Sequence, residues 1–308
     1  MRFNKLDLNL LVALDALLSE LSITRAADRL SLSPSATSNA LARLREYFKD
    51  DLLVQVGRRM ELTPRAQGLQ EAVRDVLVRV DSAIVVQPAF DPTQSERVFR
   101  ILASDYTQMV LVPHLLALNS AARCSVRFEF LPQVSNPQRN LERGDVDLLI
   151  IPRGFVSPDH PEELLFTDEF VCVVWRDSPL ARGEFTFERY LAAGHVMMQP
   201  AGTDGDSFEA WFVKRYGVTR RVAVTTYIFA ALPAFVVGTD FVATVHARLA
   251  RVMAPAWPIQ ILAPPLPIST MEQGIQWHKY RTQDPGLIWL RSFLKQAVDR
   301  MNACGALV

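Results

Sequence analysis

"RLSLSPSATSNALARLREYF" (29–48) crowds serines, a threonine and an asparagine among leucines spaced as in a helix. The preceding "TRAADRL" (24–30) reads as a short helix with Ala26 and Ala27 on its packed side, and Ser31-Leu32-Ser33 as a tight break. Ser33 then caps a second helix whose first position is Pro34, where a missing N–H costs nothing because that donor has no intrahelical partner. Thr37, Leu41, Leu44 and Phe48 recur at i, i+4, i+7 and i+11 and form its core face. The opposite face carries Ser35, Ser38, Asn39, Ala42 and Arg43. Small side chains let a helix sit deep in the DNA major groove, about 12 Å wide. Hydroxyls and Asn can meet base edges or phosphates there, and Arg43 can pair with guanine or phosphate. The plainer reading is a serine-rich surface helix.

The next segment favours DNA. "LLVQVGRRMELTP" (52–64) alternates around Gly57 as a short hairpin does. Arg58 and Arg59 at its tip can reach phosphates or the minor groove as a wing. Two helices, a short turn and a wing make a winged helix-turn-helix over residues 1–63. Its candidate DNA contacts are Ser33, Ser35, Ser38, Asn39, Arg43, Arg58, Arg59 and Thr63.

Bulk charge neither requires nor forbids this. The 308 residues carry zero formal net charge, with 49% apolar and 21% charged residues, an ordinary globular composition with length for two or so domains. Over 1–65, ten Lys/Arg face eight Asp/Glu, so a polyanion contact depends on placement. Three unevenly spaced cysteines exclude a disulfide framework and suit a reducing compartment. Asp7, Asp15 and Glu20 interrupt the apolar N-terminus, unlike a signal peptide or a membrane span. The expected location is the cytoplasm, with no membrane partner.

Thr63-Pro64 opens a linker helix over 64–87, on which Ala66, Leu69, Val73, Val76, Val80 and Ala83 recur at three and four residues. The stripe predicts a dimer seam, with Arg74, Asp75, Arg79 and Asp81 lying off it; packing within the subunit is the alternative. A hinge (88–97) follows, inside the polar, proline-bearing "VVQPAFDPTQSER". Beyond it, short β-rich runs ("VFRILASD", "SVRFEFL", "VDLLIIP", then "FVCVVW", "HVMMQP", "RRVAVTTY", "FVATVH", "PIQILAPP") alternate with helical ones. Helical stretches include 107–119, 206–216 and 229–237, and the alternation predicts parallel α/β sheets.

The stretch "DLNLLVALDALLSELSITRAADRLSLSPSATSNALARLR", with "LLVQVGRRMELTP", resembles the winged helix-turn-helix of LysR-type transcriptional regulators. The likeness covers essentially the whole chain. "FDPTQSERVFRI", "FERYLAAGHV" and "DP" before "WLRSF" are most similar to the branch of nodulation regulators and activators of aromatic-compound degradation. The family's usual Ser-Gln-Pro-Ala is here Ser33-Pro34-Ser35-Ala36, its arginine in the L-F-x-R segment is Gln55, and a usual glycine is Ala66. The operator sequence therefore does not carry over.

The resemblance implies an effector domain (98–308) with two α/β lobes like periplasmic binding proteins: lobe I about 98–166 and 268–301, lobe II about 167–267. Ligands of open α/β sheets bind beyond the carboxyl ends of strands, against helix N-termini. That rule nominates Ser104, Asp105, Tyr106 and Thr107, with His195, Met197, Thr203, Thr226 and Phe229 from the second lobe and Trp277 and His278 from the hinge side. Each has a structural alternative, as helix cap, core residue or satisfied histidine. The Asp105 carboxylate, able to accept the free N–H groups of its own helix, favours a neutral phenolic inducer over a carboxylate.

No histidine spacing suits a metal, and no nucleophile elbow, P-loop or dinucleotide fingerprint occurs. Cys124 and Cys172 lie among apolar β residues, as inert thiols do. The expectation is therefore a non-enzymatic transcription regulator without cofactor, most simply an activator. Its expected partners are double-stranded operator DNA, a small aromatic inducer, itself as dimer or tetramer, and RNA polymerase. Within the regulator reading a non-aromatic effector, or none, is the alternative; a solute-binding protein or small-molecule enzyme on the same lobes is the competing class, and it leaves residues 1–87 unexplained.

Overall fold

Three side-chain caps set the N-terminal helices. Asp7 accepts from Leu10 N (2.8 Å) to start α1 (Leu8–Glu20), Ser22 starts α2 (Ile23–Leu30), and Ser33 starts α3 (Pro34–Phe48) with proline at its first position. Each cap satisfies an N–H that the helix leaves unpaired. Ser31, at φ 54°, ends α2 and supplies the tight break. This computed structural model describes residues 6–57, 59–80, 89–199, 217 and 219–305. Arg58, Ala83, Thr203 and the helix expected at 206–216 lie outside them.

Strands β1 (Leu53–Val56) and β2 (Arg59–Leu62) pair antiparallel across a turn in which Gly57 takes φ +61°, a conformation a side chain would strain. Then α4 (Pro64–Val80) follows, capped by Thr63, whose Oγ1 accepts from Ala66 N at 3.1 Å. Leu14, Leu17 and Leu18 of α1, Leu41 and Leu44 of α3, Leu52, Leu53, Ala66 and Val73 share one core, with Leu69 packed against it. The residues expected to form a dimer seam therefore divide. Ala66, Leu69 and Val73 pack inside the subunit because α1 lies along that side of α4, whereas Val76 is 43% exposed and Val80 half-buried.

The C-terminal unit has two five-stranded sheets. The first runs β4 (Arg127–Leu131), β3 (Val98–Ala103), β5 (Leu148–Pro152), β12 (Met271–Gln276), β6 (Glu162–Asp168). The second runs β11 (Ile259–Leu262), β7 (Phe170–Trp175), β10 (Phe241–His246), β8 (Gly194–Met198), β9 (Val222–Thr226). Both are mixed, not parallel: β3, β4 and β5 are parallel but β12 runs against β5 and β6, and β7 runs against β10 and β11. The strands that run against the rest of their sheets, β7 and β12, are the first after each lobe crossing, a direction that local periodicity does not encode. β6, in "EELLFTD", had no clear sequence signal.

The helices of this unit are α5 (Asp105–Ala121), α6 (Pro137–Glu142), α7 (Phe187–Ala192), α8 (Leu232–Phe235), α9 (Ala247–Met253) and α10 (Pro285–Gly305). Phe99, Ile101, Tyr106, Leu111, Leu148, Ile275, Leu290 and Leu294 anchor the first lobe's core, and Val196, Met198, Leu232, Ala243 and Val245 anchor the second's. Among the described residues no helix is long and apolar enough to cross a membrane.

Candidate nucleic-acid interface and effector site

In the N-terminal unit, α3 buries Thr37 and Leu44 completely and Leu41 almost so. Ser35, Ser38, Asn39, Ala42 and Arg43 are all exposed on its other side. Ser33 keeps its capping role, accepting from Ala36 N at 3.2 Å and bonding Ser35 Oγ at 2.9 Å. Arg59 is exposed beside the hairpin turn. Thr63 is placed differently: it is buried, and its hydroxyl donates to Asp50 Oδ1 (2.6 Å) while accepting from Ala66 N. That hydroxyl is occupied by capping, which removes Thr63 from the DNA-facing group.

Behind this face lies a buried ionic cluster. Asp15 takes Arg74 Nε on Oδ1 and Arg29 Nη2 on Oδ2 (2.9 Å), and Arg74 also donates to Ser19. Arg74, read as lying off the seam, is only 5% exposed. The cluster ties α1, α2 and α4 together.

In the C-terminal unit, Ser104 caps α5, accepting from Thr107 N at 3.2 Å, and its Oγ lies 3.1 Å from Thr107 Oγ1. Thr107 Oγ1 in turn accepts from Gln273 Nε2 at 3.1 Å. Gln273 is 1% exposed, and its Oε1 has no hydrogen-bond partner among the described residues. An unpaired acceptor at such a place costs free energy until a donor reaches it. Gln273 pairs in register with Pro152, so it stands at the carboxyl end of β5, the end nominated for ligand binding. Nothing in "MEQGIQ" distinguishes it in the sequence.

The lobes meet around Tyr106. Its ring stacks on His246 (3.8 Å between centroids, 15° between planes), and its hydroxyl donates to Asp168 Oδ2 at 2.6 Å. Burial, then the neighbouring Asp168 charge, pushes the Tyr106 phenol well above its usual pKa. Burial raises the Asp168 carboxyl and holds His246 neutral, its pKa lowered to about 3. Tyr106, 1% exposed, is thus part of the lobe junction and not an open pocket wall. His246 ends the strand "FVATVH", so the strand-end rule could have found it. Asp105 does accept an N–H, but from Ala230 of the second lobe (2.7 Å) and not from its own helix.

Other nominees separate by strand direction. Thr226 ends β9 and accepts from Ile228 N at 3.3 Å, Met197 is half-buried beside Thr225, and Phe229 packs edge-on to His246 at 5.0 Å. His195 instead pairs with Val222 and Val242, near the starts of their strands, and bonds the Tyr190 carbonyl at 2.9 Å. Burial and then Arg220 lower its pKa to about 4, and it stands at the other end of the second sheet from Thr226. Trp277 and His278 follow Gln276, which pairs with Leu149, so they lie at the end of the first sheet opposite Ser104. Trp277 donates to Thr282 and carries Arg291 over its ring at 4.0 Å. Among the described residues no group of three or more His, Cys, Asp or Glu could hold a metal.

Residues 8–67 match the model for "Bacterial regulatory helix-turn-helix protein, lysR family", and residues 92–299 match "LysR substrate binding domain". The chain is 40% identical to nodulation protein D 2 of Rhizobium tropici over 301 residues, 98% of this chain and 96% of the relative. It is also 40% identical to nodulation protein D 1 of Mesorhizobium japonicum, covering 99% and 97%. A probable transcriptional regulator from Pseudomonas aeruginosa superposes with a TM-score of 0.64 at 30% identity, covering 95% of this chain and 97% of that one. Full-length OxyR from the same organism gives 0.73 at 17% identity over 95% and 94%, a likeness of fold.

Proposed function

The chain belongs to the LysR family of bacterial transcriptional regulators, and from that premise we propose that it is a sequence-specific activator switched by a small phenolic inducer bound at the lobe junction of its C-terminal domain. Ser35, Ser38, Asn39 and Arg43 read the major groove while Arg58 and Arg59 hold phosphates. The segments 1–63, 64–87, 88–97 and 98–308 act as DNA head, linker, hinge and effector domain. Self-association uses the exposed side of α4 at Val76.

The observation that carries the inducer assignment is the buried, unpartnered Oε1 of Gln273 at the end of the Ser104–Thr107–Gln273 ladder. It asks for a hydrogen-bond donor, which a phenol supplies and a carboxylate does not. The adjacent Asp105 carboxylate adds repulsion against an anion. Asp105 also bonds Ala230 across the junction, and a ligand seated there acts as an inducer by binding one lobe arrangement more tightly than the other. A thermal-shift screen with phenols, chlorophenols, salicylates and flavonoids tests this. Stabilisation by neutral phenols above matched carboxylates is expected; the reverse order overturns the assignment.

A further inference from the structure

Among the described residues Arg43 makes one ion pair, and its partner is Asp7, the cap of α1. The Nη2–Oδ2 separation is 3.5 Å, with the side chains 59% and 54% exposed. The neighbouring arginines have other commitments. Arg45 donates to the carbonyls of Asp51 and Leu53, each at 2.8 Å, Arg29 is drawn to Asp15, and Arg25 to Glu20. Arg43 stands on the exposed face of α3 with one guanidinium nitrogen drawn towards Asp7.

We infer that Asp7 is a positioning residue that orients Arg43 for reading a base and so sharpens discrimination between operator and other DNA. The inference rests on the assignment of α3 to the major groove. A guanidinium has five N–H donors in a fixed fork, so a carboxylate on one nitrogen leaves enough for the paired bonds that guanine O6 and N7 accept. An arginine already held in one direction loses less side-chain freedom on meeting its base. The same carboxylate repels a phosphate, which penalises the alternative in which Arg43 swings to the backbone. Both effects favour the specific complex over the non-specific one. Asp7 needs no base contact of its own.

Asp7→Asn separates charge from fold, because asparagine caps a helix about as well as aspartate. The full-length protein is measured against a DNA fragment that the wild type selects from random sequence, and against its scrambled counterpart. An exposed ion pair predicts a loss in the operator-to-scrambled affinity ratio of roughly twofold to fivefold at low salt. The thermal midpoint should not move. In an Arg43→Ala background Asp7→Asn should leave the ratio unchanged. An unaltered ratio in Asp7→Asn alone, or the same loss in both backgrounds, overturns the inference. A wild type that selects no sequence overturns the groove assignment and this inference with it.

Discussion

Asp15 and Arg74, fifty-nine residues apart, form a buried ion pair that joins the first helix to the linker helix. Both side chains are under 10% exposed. Asp15 keeps Arg29 as a second partner, but the Arg74 guanidinium without Asp15 would stay desolvated with no counter-charge among the described residues. Asp15→Ala should therefore destabilise the N-terminal unit by about 3–5 kcal/mol. The double change Asp15→Leu with Arg74→Met, which removes both charges and keeps volume, should recover most of that loss. Urea unfolding of the full chain, followed by circular dichroism, decides it. A loss below about 1 kcal/mol for Asp15→Ala would show that the pair contributes little.

The divided stripe on α4 makes two similar substitutions behave differently. Val73 is 5% exposed within the subunit core, so Val73→Asp should unfold the N-terminal unit. Val76 is 43% exposed, so Val76→Asp should preserve the fold and weaken self-association. Sedimentation together with helical content by circular dichroism distinguishes the two. Unchanged assembly of the Val76 variant would place the interface elsewhere.

At the lobe junction, Gln273→Leu removes the unpaired acceptor at similar volume. With an active phenol and its methyl ether as the ligand pair, the wild type should prefer the phenol by roughly fivefold to tenfold. In Gln273→Leu that preference should disappear. Thr107→Ala, which breaks the ladder holding the amide, should weaken phenol binding and leave operator affinity without inducer unaltered. Calorimetric titration reads both; a preference that survives Gln273→Leu means the ligand hydroxyl bonds elsewhere.

His195 gives the effector domain an acid sensitivity of known sign. Its folded pKa, about 4, lies below the ordinary histidine value of 6.5. Between those values the unfolded chain holds the proton and the folded one does not, so stability falls as pH drops from about 6.5 towards about 4. His195→Gln keeps a polar group near the Tyr190 carbonyl but does not titrate. Relative to wild type, its unfolding free energy should depend on pH by about one proton less across that window. Identical slopes would assign the sensitivity to other groups, His246 foremost.

The helix-turn-helix was legible in residues 22–48 because every signal there is local. The cap at Ser33, Pro34 at the first helical position and a three-four rhythm of apolar residues each act within one or two turns. The hairpin at Gly57 and the alternation of strands with helices were legible for the same reason. Which side of α4 faces its own core was not, because the decision belongs to α1, dozens of residues away. Arg74, off the apolar stripe, has its buried place only because the fold delivers Asp15 to it.

The effector site divides along the same line. Ser104 and Thr107 could be nominated from sequence, since a strand leading into a capped helix is a local pattern at a known kind of binding edge. His195, Trp277 and His278 could not be placed, because a strand's direction in its sheet decides which end faces the junction, and β12 returns to the first lobe only after the chain has built the second. Gln273 reaches Thr107, 166 positions earlier in the chain, through that return. Local sequence determined the elements and their polar and apolar faces, since those follow from short-range sterics and hydrogen bonding. Tertiary structure alone decided which buried charges, amides and rings meet, because those contacts exist only once distant segments pack and water is excluded.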